Sequence, residues 1–419
     1  MHPNALLDLA TELLREVLKF QQPADKLVSA FFAKHRALGP RERHALAETT
    51  YGVLRERSVL HHLAQSGKGP LERRLAIAGW QGGAEDLRAA LNPAERAWFE
   101  QISAIDRTAL PEPLRHNLPE WLARRLRDAL GDGFWPLVLS VNGAAPLDLR
   151  VNALNIKRDA ARAELAEHGI VAKDTPYSPL GLRIDGKPAL NRLDIFKRGD
   201  VEVQDEGSQL LALLVDAKRG EMVVDFCAGA GGKTLALGAA MRNTGRLYAF
   251  DISGHRLAAL KPRLARSGLS NVHPVQIAHE RDERIKRLAG KIDRVLIDAP
   301  CSGLGTLRRN PDLKWRLSPE SIQALCTQQA AILNSAARLL KPGGRLVYAT
   351  CSLLDAENQS IAEAFSELHR AEFETLSALA ALSTTHVNNP QNLIESNYLR
   401  LWPHRHGTDG FFAAAWQRT

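Results

Sequence analysis

The apolar positions of the first hundred residues repeat with a helical period. Leu6, Ala10, Leu13, Leu14 and Val17 share one face, and Asp8, Glu12 and Glu16 interrupt the run. This predicts an amphipathic helix and not a cleavable leader. Val28, Phe31 and Phe32 continue the pattern, as do Leu46, Val53, Leu54, Leu60 and Leu63, with Gly39-Pro40 as a breaker between them. The three prolines of ALPEPLRHNLPEW (109–121) predict a linker into a further helix, WLARRLRDALG.

From Pro146 to about Asp200 the pattern changes. LDLRVNAL, GLRID and DVEVQ read as strands, and RDAARAELAEHG as a helix closed by Gly169. From Gln204, strand-length apolar runs alternate with helical stretches. These are MVVDF, a helix after Lys233, RLYAF, a helix after Ser253, NVHPVQI, KIDRVLID, a long helix from Pro319 to Leu340, and GRLVYAT. Such alternation predicts an α/β domain with a doubly wound parallel sheet. YLRLWP and GFFAAAW predict a closing antiparallel pair. The expected division is a helical domain over 1–110, a linker helix with a small α/β module over 111–200, and the α/β domain over 201–419.

Composition narrows the class. Of 419 residues, 45% are hydrophobic and 24% charged, which excludes disordered, collagenous and coiled-coil chains. No apolar run approaches the roughly 18 residues of a membrane span. The four cysteines, 227, 301, 326 and 351, are too few and scattered for a secreted disulfide scaffold. A cytoplasmic chain, monomeric and without a membrane partner, is expected. The net charge of +8 favours a polyanionic partner. Two clusters are candidate phosphate contacts: Arg256, Lys261, Arg263 and Arg266, and Arg308, Arg309, Lys314 and Arg316. Trp315 either stacks on a base or packs in a core.

Val223-Val224-Asp225-Phe226 reads as a buried strand running into Cys227-Ala228-Gly229-Ala230-Gly231-Gly232-Lys233-Thr234. Glycines at a strand-to-helix turn let a ligand approach the backbone. A phosphate-cradling GxxxxGK[ST] loop fails, because Cys227 stands where its first glycine belongs. A dinucleotide GxGxxG fails at Thr234. S-adenosylmethionine enzymes use a looser turn with an acid ending the second strand, and Asp251 ends RLYAFD. Its simpler reading is a helix N-cap.

Two cysteines end strands at the carboxyl edge of the sheet, in VLIDAPCSGLG and VYATCSLLDAEN. Two thiols there suit methylation of pyrimidine carbon 5. One thiolate adds to carbon 6 and makes carbon 5 nucleophilic; a second thiolate or another base assists release. Asp298 is placed to bond the pyrimidine's polar edge and support protonation at nitrogen 3, and Lys233 to favour a nearby thiolate. Cys326, inside the long helix, reads as a small buried hydrophobe. No CxxC pair supports a metal site, and His404-Arg405-His406 reads as surface.

On these residues the chain resembles the Nop/Sun (Fmu) family of RNA cytosine-C5 methyltransferases, and within it most closely the bacterial subgroup acting on small-subunit ribosomal RNA. DAPCSG, TCS and the C-terminal DGFFAA carry the likeness, with DFCAGAGGKT and EVQDEGSQ, over nearly the whole chain. ERHALAETTYGVLRERSVL resembles the NusB-type RNA-binding bundle of that subgroup. The resemblance implies a Rossmann-like fold, S-adenosylmethionine as cofactor and 16S ribosomal RNA as partner. It implies Cys351 as nucleophile and Cys301 in product release, with Asp298 and Lys233 beside them. It assigns cofactor contacts to Cys227, Ala228, Gly229, Ala230, Gly231, Gly232, Lys233, Asp251 and Asp298. The sequence departs from the family at Ala230, where a proline is frequent, and at QIAHERDE, where neither His279 nor Glu280 matches the acid after the third strand. Two other readings are a transfer-RNA cytosine-C5 methyltransferase and an inactive RNA-binding protein of ribosome assembly. Amino-group methylation is disfavoured, because Asp298-Ala299-Pro300-Cys301 stands where such enzymes carry [DN]PP[YF].

Overall fold

The computed structural model describes residues 1–186 and 188–419. They form two compact units: Met1–Ala144 with Thr306–Pro319, and Ala145–Gly305 with Glu320–Thr419.

The first unit is helical. Its longer helices are Pro3–Val17, Ala24–Lys34, Pro40–Arg55, Pro93–Ser103 and Glu120–Leu130. Each turns one apolar stripe inward, as Leu6, Leu7, Ala10, Leu13, Leu14 and Val17 do in the first. Gly39 precedes the third helix, whose first residue is Pro40, a position where the missing N–H costs nothing. The 306–319 segment belongs to this unit by its contacts. Trp315 packs on the helical core and its Nε1 donates to the Leu54 carbonyl at 2.7 Å. Lys314 is buried and donates to the Arg55 carbonyl at 2.9 Å and to Asn142 Oδ1 at 2.7 Å. Burial pulls its ammonium down to about 7. The second basic cluster therefore differs from its expected role. Lys314 has no access to a phosphate, Arg316 pairs with Asp312 at 3.1 Å, and Trp315 is a packing residue.

The second unit holds two sheets. The smaller orders β2 (Ala172–Asp174), β3 (Gly181–Ile184), β1 (Leu147–Val151) and β4 (Val201–Val203), all antiparallel. The Arg158–Glu167 helix supplies Ala161 and Leu165 to their core. The larger sheet has a parallel centre in the order β7 (Val272–Gln276), β6 (Arg246–Asp251), β5 (Met222–Asp225), β8 (Ile292–Asp298), β9 (Leu340–Thr350). Beyond β9 it turns antiparallel. β13 (Phe411–Arg418) pairs with β9 and with both β12 (Tyr398–Leu401) and β10 (Phe373–Leu376), and β11 (Ile394–Glu395) pairs with β12.

Alternation along these strands fills a layer on each face. Val223, Leu296, Val347 and Ala413 pack on one side, and Val224, Val295, Leu346 and Ala414 on the other. The Glu206–Val215 helix, which periodicity did not predict, is buried nearly all round against the first of these layers. Because β5, β6, β8 and β9 are parallel, their carboxyl ends share one edge, and Asp298 stands opposite Ala349 in register. Among the described residues no helix is long and apolar enough to cross a membrane.

Candidate functional site

The turn after β5 is built by short backbone contacts. The Gly231 N–H donates to the Ala228 carbonyl at 2.9 Å, and the Ala228 N–H donates to the Phe250 carbonyl of β6 at 2.8 Å. Gly231 has φ +83°, and a Cβ there would lie 2.1 Å from Leu260 Cδ1, so no side chain fits. Gly229, at φ +57°, faces open space. Arg263 donates to the Ala230 carbonyl at 2.6 Å and anchors the turn there.

Asp251 ends β6 and is fastened to that turn. Its Oδ2 accepts from the Gly229 N–H at 2.8 Å and its Oδ1 from the Ser253 N–H at 2.7 Å. The cap of the Gly254–Ser267 helix is Ser253, whose Oγ accepts from the Arg256 N–H. Asp251 is therefore not there as a cap, and its carboxylate borders the cavity.

That cavity has a volume of about 760 Å³. Its walls include Cys227, Ala228, Gly229, Ala230, Gly232, Lys233, Asp251, Asp298, Cys301 and Cys351, so all the sequence-derived site residues but Gly231 reach it. Gly231 shapes the turn behind them. Lys233 Nζ donates to Asp298 Oδ2 at 2.8 Å and lies 5.6 Å from the Phe411 ring centroid. Burial alone would lower the lysine, yet Asp298 beside it holds the ammonium above its ordinary value. Cys301 Sγ and Cys351 Sγ are 3.4 Å apart. The hydrogen bond with Cys351, followed by burial, pushes the Cys301 thiol well up. Burial does the same to Cys227.

Asp225 also lines the cavity. Its Oδ2 accepts from Thr234 Oγ1 at 2.7 Å, while its buried Oδ1 has no hydrogen-bond partner among the described residues. Burial pushes this carboxyl up to about 7. An unmatched buried acceptor, the carboxylates of Asp251 and Asp298, and an open glycine backbone fit a cationic ligand with hydroxyl groups. S-adenosylmethionine has that chemistry.

Several side chains stand elsewhere than the sequence suggested. Arg263 and Arg266 pair with Glu202 at 3.4 and 2.6 Å, and of the cluster Arg256 and Arg263 line the cavity while Arg266 does not. Cys326 is only partly buried, and its Sγ donates to the Ala356 carbonyl at 3.3 Å. His406 is buried and not at the surface; its Nδ1 accepts from the Trp402 N–H at 2.8 Å. The cavity also takes in Ile277, Ala278, His279 and Glu280, just after β7, and Phe411 of the DGFF segment. Their position after a strand end and within a quoted motif was the available signal.

Known proteins are similar over the same residues. Residues 212–417 match the family described as 16S rRNA methyltransferase RsmB/F, and residues 118–191 match the RsmF/B-like ferredoxin-like domain. A Synechocystis protein named "Probable ribosomal RNA small subunit methyltransferase B" is 30% identical over 97% of this chain and 98% of its own. Ribosomal RNA small subunit methyltransferase B of Yersinia pseudotuberculosis is 34% identical over 78% of this chain and 72% of its own. A crystal structure of a methyltransferase homolog protein from Pyrococcus horikoshii is 29% identical, with a TM-score of 0.62, over 75% of this chain and 100% of that one.

Proposed function

The chain belongs to the RsmB/F family of S-adenosylmethionine-dependent methyltransferases, and on that premise we propose that it methylates carbon 5 of a cytosine in small-subunit ribosomal RNA. The observation that carries this reading is the pair of thiols 3.4 Å apart, ending β8 and β9 in the cavity that holds Lys233 and Asp298. Single-thiol or amino-group chemistry has no use for both. The names of the relatives support ribosomal RNA over transfer RNA.

Asp251, the 227–233 loop and Asp298 would hold the cofactor, with Gly229 offering backbone at the open side of the turn. When bound, S-adenosylmethionine supplies the electrophilic methyl that carbon 5 of the activated ring takes up. Cys351 is the nucleophile: its thiolate bonds to carbon 6 of the cytosine, and the ring electrons are drawn toward nitrogen 3. Asp298, braced by Lys233, bonds the base's polar edge and supports the proton at nitrogen 3.

The raised thiol of Cys301 then acquires a purpose. While Cys351 is free, the bond between the sulfurs keeps Cys301 protonated. Bonding of the Cys351 sulfur to carbon 6 removes the largest cause of that elevation, while burial and the carboxylates of Glu357 and Asp298 still raise the thiol; the Cys301 proton passes to solvent at this stage. Its thiolate takes the proton from carbon 5, the 5,6 double bond re-forms, the bond from carbon 6 to Cys351 breaks, and nitrogen 3 gives up its proton. Each thiol so leaves its resting state and returns to it once per turnover.

A flipped cytosine must reach Cys351, at a cost of a few kcal/mol if it was paired. Within the helical unit, residues 1–110 act as the NusB-type RNA-binding bundle, with 111–200 as linker and module and 201–419 as the catalytic domain. The protein works in the cytoplasm as a monomer. The test is methyl transfer from labelled S-adenosylmethionine to purified ribosomal and transfer RNA, with nucleoside digestion. Label in 5-methylcytidine from ribosomal RNA is expected. Label in transfer RNA only, or on an exocyclic amine, contradicts the proposal.

A further inference from the structure

The residues that follow the two cysteines converge on one buried carboxylate. Glu357 is fully buried, six positions beyond Cys351. Its Oε1 accepts from the Ser302 N–H at 2.8 Å and from Gln329 Nε2 at 3.0 Å. Its Oε2 accepts from Ser352 Oγ at 2.5 Å. The hydroxyls of Ser302 and Ser352, each next in the chain to a cysteine, meet at 3.0 Å and close a ring of bonds. Gln329 also donates to the Pro300 carbonyl at 3.0 Å, so Cys301 is held on both flanks. Asn358 does the same for Cys351. It accepts from Thr350 Oγ1 at 2.5 Å and donates to the Ser352 carbonyl at 3.0 Å.

A buried carboxylate is an expensive way to join two loops. Its desolvation is offset only when its lone pairs are filled, and an apolar substitute of similar volume is frequently as stable. Packing alone therefore does not account for an acid here. What the acid does that an apolar side chain does not is bond, through one rigid group, to the neighbours of both cysteines. We propose that Glu357 is a positioning residue that holds the Cys301 and Cys351 loops at the spacing release requires. This inference rests on the two-thiol reading above. Its negative charge also lies close enough to disfavour a thiolate at Cys301, in keeping with a thiol that stays protonated until Cys351 is engaged.

The spacing is measurable without RNA. Phenylarsine oxide bridges two nearby thiols, forming two As–S bonds and releasing one water. The full-length protein should bind one equivalent tightly, and Cys301→Ala should abolish that binding. Glu357→Ala should weaken it at least about tenfold, since three donors lose their acceptor. It should lower kcat while leaving KM for RNA unchanged. Glu357→Gln keeps one acceptor, so binding and kcat should recover most of the way. In that variant, alkylation of Cys301 by iodoacetamide should shift to lower pH, because a charge opposing the thiolate is gone. If Glu357→Ala does not fold, Glu357→Gln and Ser352→Ala carry the comparison, and the serine variant should also weaken arsenical binding. Wild-type arsenical affinity in every soluble variant overturns the proposal, as does a loss that tracks melting temperature and is not rescued by glutamine. If wild type makes no 5-methylcytidine yet Glu357→Ala still loses the arsenical, the cytosine reading fails and the positioning role stands.

Discussion

The ammonium of Lys233 and the carboxylate of Asp298 meet at 2.8 Å, the first from the helix after the glycine turn and the second from the end of β8. The pair joins the cofactor loop to the loop of Cys301 across one cavity. Burial opposes the lysine's charge, and Asp298 outweighs it. A lysine whose folded pKa is raised contributes stability that is full below its ordinary value and is lost as pH rises through the higher folded value. The pair is therefore intact throughout the neutral range. Lys233→Met and Asp298→Asn should each lower kcat by about 100-fold, and the double variant should be little worse than either, as for groups acting as a unit. Single-turnover methylation of ribosomal RNA checks this; additive losses would mean that the two act separately.

Asp225 carries a pH signature. Its folded carboxyl is raised to about 7 by burial, against an ordinary value of 3.8. Between those values the folded chain binds more protons than the unfolded one, so stability falls as pH rises across that window. Asp225→Asn keeps an acceptor for Thr234 and cannot ionise. The variant should match wild type near pH 4 and melt higher at pH 8. Parallel melting curves across pH check this, and a constant difference would exclude Asp225 as the source.

Gly231 has no room for a side chain. Gly231→Ala forces a Cβ to 2.1 Å from Leu260 at positive φ, and should cost about 2 kcal/mol of stability. Cofactor affinity, read by calorimetry, should fall with it, because Ala228–Gly229 moves with the turn. Leu260→Ala in the same chain opens the space and should recover part of the affinity. No recovery would trace the loss to the backbone angle alone.

The central strands were legible because Val223–Val224, Val295–Leu296 and Leu346–Val347 are buried on both faces and bounded by turns. Asp251 and Asp298 were legible because they end β6 and β8, and the two cysteines because they come within a few residues of the ends of β8 and β9. The Glu206–Val215 helix was not, since a helix buried nearly all round has no polar face to set a period. Lys314 read as an RNA contact, and Trp315 as either a stacking or a core residue, because charge and aromaticity are local, while the groups that bury them, Leu54, Arg55 and Asn142, lie far away in sequence. Glu357 was silent for the same reason. The serines beside each cysteine are visible in the chain, but their meeting on one carboxylate is a tertiary event.

The two-thiol mechanism makes its sharpest demand on the Cys301→Ala variant. With S-adenosylmethionine and ribosomal RNA present, methyl transfer should proceed while elimination stalls, leaving the protein joined to RNA through Cys351. On a denaturing gel that species should run as a slower band, carry one methylated cytosine when sequenced, and vanish in Cys301→Ala/Cys351→Ala. A Cys301→Ala enzyme that turns over normally with no such band would contradict the release role of Cys301, and a band that survives loss of Cys351 would contradict its role as nucleophile.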